Sequence, residues 1–173
     1  MLSGKKTTQD RPLSPSHEHY LRSIWEVRTR QGYARLTDVA RELGITTATL
    51  SVGLKPLEAR ELISHDEHRF LVLTAAGERF AREVHHRYTV LRTFLEEVLG
   101  IEPSVAEREA CLIEHDISAH TAERFVDLLK MMREDSAVRE LFHERFSRYH
   151  RTCSPSDACS TCGLSCLVPV PRS

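Results

Sequence analysis

Three residues in the middle of the chain, Cys111, Glu114 and His115, combine a thiol, a carboxylate and an imidazole at spacings i, i+3 and i+4. On a helix these spacings place all three on one face. A thiolate, a carboxylate and an imidazole supply three-quarters of a transition-metal site, and the fourth ligand must come from elsewhere in the chain. His19, near the start of the first amphipathic stretch, is the candidate. The competing reading is a buried cysteine beside a solvated Glu–His pair. A second set of potential ligands closes the sequence: Cys153, Cys159, Cys162 and Cys166, in the pattern C-x5-C-x2-C-x3-C. Four thiolates can hold Zn²⁺ or an iron–sulfur cluster. Redox-active disulfides or an idle thiol tail are the alternatives. With no export signal in the sequence, the clustering fits metal chemistry in a reducing cytoplasm better than a disulfide framework.

A different chemistry is written into Leu36 to Ser51. Val39, Ala40 and Leu43 form one apolar face of a short helix, and Ala40 is small enough for a second helix to cross closely. Gly44 can supply the positive φ of a tight turn. The following helix exposes Thr46, Thr47, Ala48, Thr49 and Ser51 at its N-terminal end, small hydroxyl and methyl groups suited to phosphate and to thymine-methyl contact in a major groove. Arg35, Lys55, Arg60 and Arg69 are candidate contacts to the DNA backbone. His68-Arg69 falls near the tip of an expected hairpin, where a wing would touch DNA. Pro56 is the discordant residue, because it removes a helical donor, and a kink or break after Leu54 is the expectation.

These groups need elements to hold them. Hydrophobic residues make up 40% of the 173-residue chain and charged residues 28%, enough for a core and against wholesale disorder. No run of eighteen apolar residues exists, so no membrane partner is expected. The net charge of -1 is unevenly spread. Residues 1–75 carry 11 Lys/Arg against 9 Asp/Glu, and residues 76–150 carry 11 against 15, a basic part followed by an acidic one. Apolar periodicity predicts helices over residues 17–30, 38–43 (capped by Thr37), 46–63 in part, 75–99, 105–117, 120–134 and 136–150, with a small hairpin formed by 62–63 and 70–73. The expected fold is mainly α with a small β-hairpin wing: a flexible arm (1–14), a winged helix-turn-helix (15–75), a helical metal-binding and dimerisation domain (76–150) and the Cys-rich tail (151–173). Other histidines, His17, His65, His120, His143 and His150, read as solvent-facing. Phe125, Leu128, Leu129, Met131 and Met132 read as packing residues. No His-Glu-x-x-His motif and no phosphate-cradling glycine loop is present, so an enzyme is not expected.

Three separated segments in this order, residues 15–25, 43–73 and Glu109-Ala110-Cys111 followed by Glu114-His115, resemble the iron- and manganese-dependent repressors of the diphtheria-toxin-repressor (DtxR/MntR) family. The resemblance covers residues 15–150. It implies a cytoplasmic homodimer that represses transcription by binding double-stranded operator DNA in response to metal, with His19, Cys111, Glu114 and His115 as ligands. It also marks differences. A family ligand position early in the long connecting helix is Tyr88, ancillary positions are Arg92 and Glu107, and a first-helix carboxylate position is Arg22. A second metal site is therefore expected to be absent or rebuilt, with His85, His86 and Glu107 as the residues available to rebuild it. Two imidazoles, one thiolate and one carboxylate favour Fe²⁺, Zn²⁺ or Co²⁺ over Mn²⁺, and Fe²⁺ is the leading expectation. The alternative function is a redox or iron–sulfur-sensing winged-helix regulator in which the tail cysteines carry the signal.

Overall fold

The computed structural model describes residues 13–148; the Cys-rich tail and its four candidate ligands lie outside the described residues. Helix α1 (Pro15–Gln31) begins where Ser14 accepts a hydrogen bond from the His17 amide, and it buries Leu21, Ile24 and Val27. Helices α2 (Leu36–Glu42) and α3 (Thr47–Ala59) form the helix-turn-helix. Between them Gly44 takes φ of +66°, a conformation that a side chain would strain. Helix α2 starts ahead of the expected position, with Arg35 rather than Thr37 at its N-cap. Thr46 caps α3 by accepting from the Thr49 amide at 3.1 Å.

Of the kink or break expected after Leu54, the break does not occur: helix α3 runs through Pro56 to Ala59. Pro56 cannot donate to the carbonyl of Val52, but both residues lie on the exposed face, where water can satisfy that oxygen. Leu50, Leu54 and Leu57 on the opposite face are buried and hold the helix in place. Strands β1 (Ile63–His65) and β2 (Leu71–Leu73) pair antiparallel, Ile63 opposite Leu73, and make the wing. At its turn the Asp66 carboxylate accepts from the amides of His68 and Phe70.

Helix α4 (Ala75–Thr93) leads into a π-helical segment, Phe94–Val98, and α5 (Pro103–Ile113) follows. Two apolar clusters result. One joins α1, α2, α3 and the wing around Leu21, Leu50 and Leu54; the other joins α4 and α5 around Tyr88, Leu91, Ala106 and Ala110. The N-terminal half of α1, the middle of α4 and the end of α5 meet between them. Helix α6 (Ala119–Glu134) packs Phe125 on Phe94 at 4.7 Å between ring centroids. The chain divides into two compact units at Leu129. In the second, α7 (Ser136–Ser147) is capped by Asp135 and stacks Phe142 on Phe146. No helix among the described residues is long and apolar enough to cross a membrane.

Candidate metal centre

The site is built from the first turns of α1, the middle of α4 and the turn that ends α5. Helix α5 stops at Ile113, short of the expected Ile117; Glu114 caps it in helical conformation, its amide donating to the Ala110 carbonyl at 3.0 Å, so it keeps the helical face of Cys111, while His115 lies in the following turn. Arg87 of α4 donates through Nε to the Glu114 backbone carbonyl at 3.0 Å, satisfying an oxygen that the helix leaves free. The Glu114 side chain is fully buried.

The four predicted ligands divide into two adjoining groups. His19 Nε2 meets Cys111 Sγ at 4.0 Å. Glu114 instead meets His115, whose Nδ1 lies 3.4 Å from Glu114 Oε1, and a residue the sequence reading missed, Glu18. Glu18 Oε2 sits 3.2 Å from His115 Nδ1, and Glu18, Glu114 and His115 each offer a ligand atom within 4.8 Å of the others. Glu18 had only one signal in the sequence, its place next to His19. Adjacent helical residues point about 100° apart, so only the packing of α1 against α4 and α5 decides that both face this site.

At Glu114 the cost of burial outweighs the positive charge around it. Neither Glu114 carboxylate oxygen has a hydrogen-bond partner. Burial pushes its carboxyl up to about 7, although His115, Arg22 and Arg87 pull the other way. His19 is held at about 4 by burial, then by the charges of Arg22 and His115, so its imidazole is neutral at pH 7. Arg87 Nη2 binds Glu18 at 2.9 Å and stands 3.7 Å from Glu114. Arg22, itself buried, donates to Cys111 Sγ at 3.4 Å and lies 3.8 Å over the Tyr88 ring.

The residues fit a divalent cation. A buried carboxylate whose two oxygens have ion-pair neighbours but no hydrogen bond can accept a proton or a cation, with Glu18 and His115 offering ligand atoms beside it and the His19–Cys111 pair adjoining. The side toward Tyr88 fits one poorly. Tyr88 is covered by Arg22, with Arg92 and Glu107 close by. His85 does not turn to this site. It pairs with Glu26 at 3.0 Å and packs on Trp25, while His86 lines a shallow cavity with Glu83, Ala119 and Glu123.

The predicted DNA-facing residues form a separate surface. Thr46, Thr47, Ala48, Thr49, Ser51 and Lys55 are exposed on α3, and Arg69 is exposed at the wing turn. Arg35 lies 4.9 Å over Tyr33, which stacks on Phe70 at the base of the wing. The two surfaces are joined mechanically. Tyr20 follows His19 on α1, and its ring lies so close to Gly53 of α3 that a Cβ there would meet Tyr20 Cε2 at 2.6 Å.

Comparison with known proteins agrees with this division. Residues 12–71 match the family model described as the iron dependent repressor N-terminal DNA binding domain, and residues 74–141 match its metal binding and dimerisation domain. The HTH-type transcriptional regulator MntR of Bacillus subtilis (strain 168) is 28% identical over 124 residues, which cover 72% of this chain and 87% of that protein. Its namesake in Geobacillus kaustophilus is 29% identical over 122 residues, 70% of this chain and 86% of the relative. A manganese-dependent transcriptional repressor solved with manganese is 27% identical, with a TM-score of 0.56 over 65% of this chain and 52% of its own. T. acidophilum IdeR shares the fold at 24% identity and a TM-score of 0.60, over 69% and 55% of the two chains. The present chain thus spans about half the length of these two solved proteins. With both halves of the family pattern matched in order, the chain belongs to the iron-dependent repressor (DtxR/MntR) family of metal-dependent transcriptional repressors, which are not enzymes.

Proposed function

We propose that this chain represses transcription in the cytoplasm as a homodimer whose grip on operator DNA depends on a divalent cation held by Glu18, His19, Cys111, Glu114 and His115. The observation that carries this reading is the Glu114 carboxylate, buried without any exposed surface and with neither oxygen hydrogen-bonded. A bound divalent cation would give this carboxylate the direct contact that Arg87, at 3.7 Å, and His115, at 3.4 Å, do not make as hydrogen bonds. The chain's own residues do the rest. Glu18 and His19 bring the start of α1 to the turn after α5, and His19, neutral at pH 7, presents a lone pair. Arg87 holds Glu18 and the Glu114 backbone in register across α4. Tyr20 passes the position of α1 to α3 through Gly53. Residues 15–75 then serve as the reading head and residues 76–150 as the metal-binding and dimerising part. In a dimer, two heads held at one spacing match two half-sites without the ordering entropy that loose heads would lose.

Fe²⁺ is the cation this reading favours, with Zn²⁺ and Mn²⁺ as alternatives. The thiol and imidazoles suit iron and zinc, and the second carboxylate, Glu18, makes the set harder than the sequence alone suggested. The test is a gel shift under anaerobic conditions, with duplexes selected from a random pool and with Fe²⁺, Mn²⁺, Zn²⁺ or a chelator. The expected result is a shift with one or more cations that the chelator abolishes. Equal shifts in all four conditions would remove metal control from the account.

A further inference from the structure

The outward face of α3 carries an unusual surface for a helix in water. With Leu50, Leu54 and Leu57 buried, a rotation of about 100° per residue puts Ala48, Val52, Lys55 and Ala59 opposite the buried side. All four are exposed, and Val52 is 65% exposed. Val52 is therefore a β-branched apolar residue held on the outermost stripe, where packing among the described residues gives no reason for it.

The rest of that face narrows what it can bind. From Thr47 to Leu57 the helix has no Arg, Asn, Gln, Asp or Glu. The side chains that read guanine or adenine by paired hydrogen bonds are thus missing, except for the single ammonium of Lys55. The Thr46 and Thr49 hydroxyls are engaged with each other at 2.9 Å, and Thr46 also accepts from the Thr49 amide. What remains on the outermost stripe is the methyl groups of Ala48 and Val52 beside Lys55, with the exposed hydroxyls of Thr47 and Ser51 along one flank and exposed Arg69 on the wing for phosphates. In a major groove the one apolar group on any base edge is the C5-methyl of thymine.

We propose that Val52, supported by Ala48, is the specificity-determining residue of the reading helix, and that it selects half-sites by packing on thymine methyl groups. The proposal rests on α3 entering a major groove, as the proposed function requires. It names the chemical class of operator: a half-site with at least one T·A pair whose methyl faces Val52.

The test uses the full chain and a pool of random-sequence duplexes, selected in parallel with Fe²⁺, Mn²⁺ and Zn²⁺. The enriched duplex is then remade with deoxyuridine in place of each thymidine in turn, a change that deletes only the methyl. The expected result is a position in each half-site where deoxyuridine weakens binding roughly fourfold. Val52→Ala should bring that ratio close to one, and Lys55→Ala should weaken binding to both duplexes alike without changing it. Equal affinity for thymidine and deoxyuridine at every position would overturn the proposal, as would an unchanged ratio in Val52→Ala. Enrichment of no duplex under any metal would instead sink the DNA-reading account, and this inference with it.

Discussion

Replacing Glu114 with Gln tests the electrostatics of the site before any metal is added. The carboxyl is raised from 4.5 to about 7 by burial. A group raised in this way contributes stability that is fully present below its ordinary value and is lost as pH rises through its folded value. At about 1.4 kcal/mol per tenfold, holding the charged form in the dry site costs the folded chain about 3 kcal/mol above pH 7. His19 has the opposite sense. Its folded value of about 4 lies below the ordinary 6.5, so its contribution is present above pH 6.5 and lost as pH falls toward 4. Between these limits the two slopes oppose each other, and the metal-free chain should show a nearly flat stability profile. Glu114→Gln removes one slope and exposes the other, so the variant should become more stable as pH rises from about 4.5 to 6.5. The amide has its own cost of burial, but that cost does not change with pH. The decisive quantity is therefore the difference between wild type and variant, which should move by about 3 kcal/mol in the variant's favour from about pH 4.5 to pH 8. Urea unfolding in chelator, followed by the fluorescence of Trp25, the chain's only tryptophan, reads it directly. Parallel profiles for the two proteins would refute the claim that Glu114 is a buried carboxylate in want of a cation.

Three further outcomes follow from named contacts. Glu18→Gln should weaken metal binding by tenfold or more in calorimetric titration, while costing only about 1 kcal/mol of metal-free stability, because the pair it forms with Arg87 is partly exposed. Gly53→Ala should force the Tyr20 ring aside and cost about 1–3 kcal/mol, with metal affinity retained and the metal effect on DNA binding reduced. Thr46→Ala removes the cap of α3 and should cost about 1 kcal/mol in urea unfolding, with no change in metal affinity.

Local signals carried much of this architecture. Thr46 at the start of α3, the buried spacing of Leu50, Leu54 and Leu57, Gly44 in the turn and the apolar pairs of the wing were readable because each depends on neighbours in sequence. What was not readable depends on distant ones. Arg87, 27 residues away, takes the Glu114 carbonyl just past the end of α5. Glu18 joins Glu114 and His115 only because α1 packs across α4. Pro56 stays inside α3 because the opposite face is anchored in the core and its own side is open to water. The Arg22 and Tyr88 substitutions were visible as departures from the family pattern, but their stacking on each other was not.

The most direct measurement of the central claim is the affinity for a selected duplex, by fluorescence anisotropy, with the favoured cation and with chelator, in wild type and in His115→Ala. Coupling of about 1–3 kcal/mol between the two sites is typical of such switches, so the cation should tighten wild-type binding by roughly tenfold or more, and His115→Ala should show almost none of that gain while still binding at the chelator level. Wild-type affinity that is the same with cation and with chelator, or a full gain retained in His115→Ala, would contradict the account.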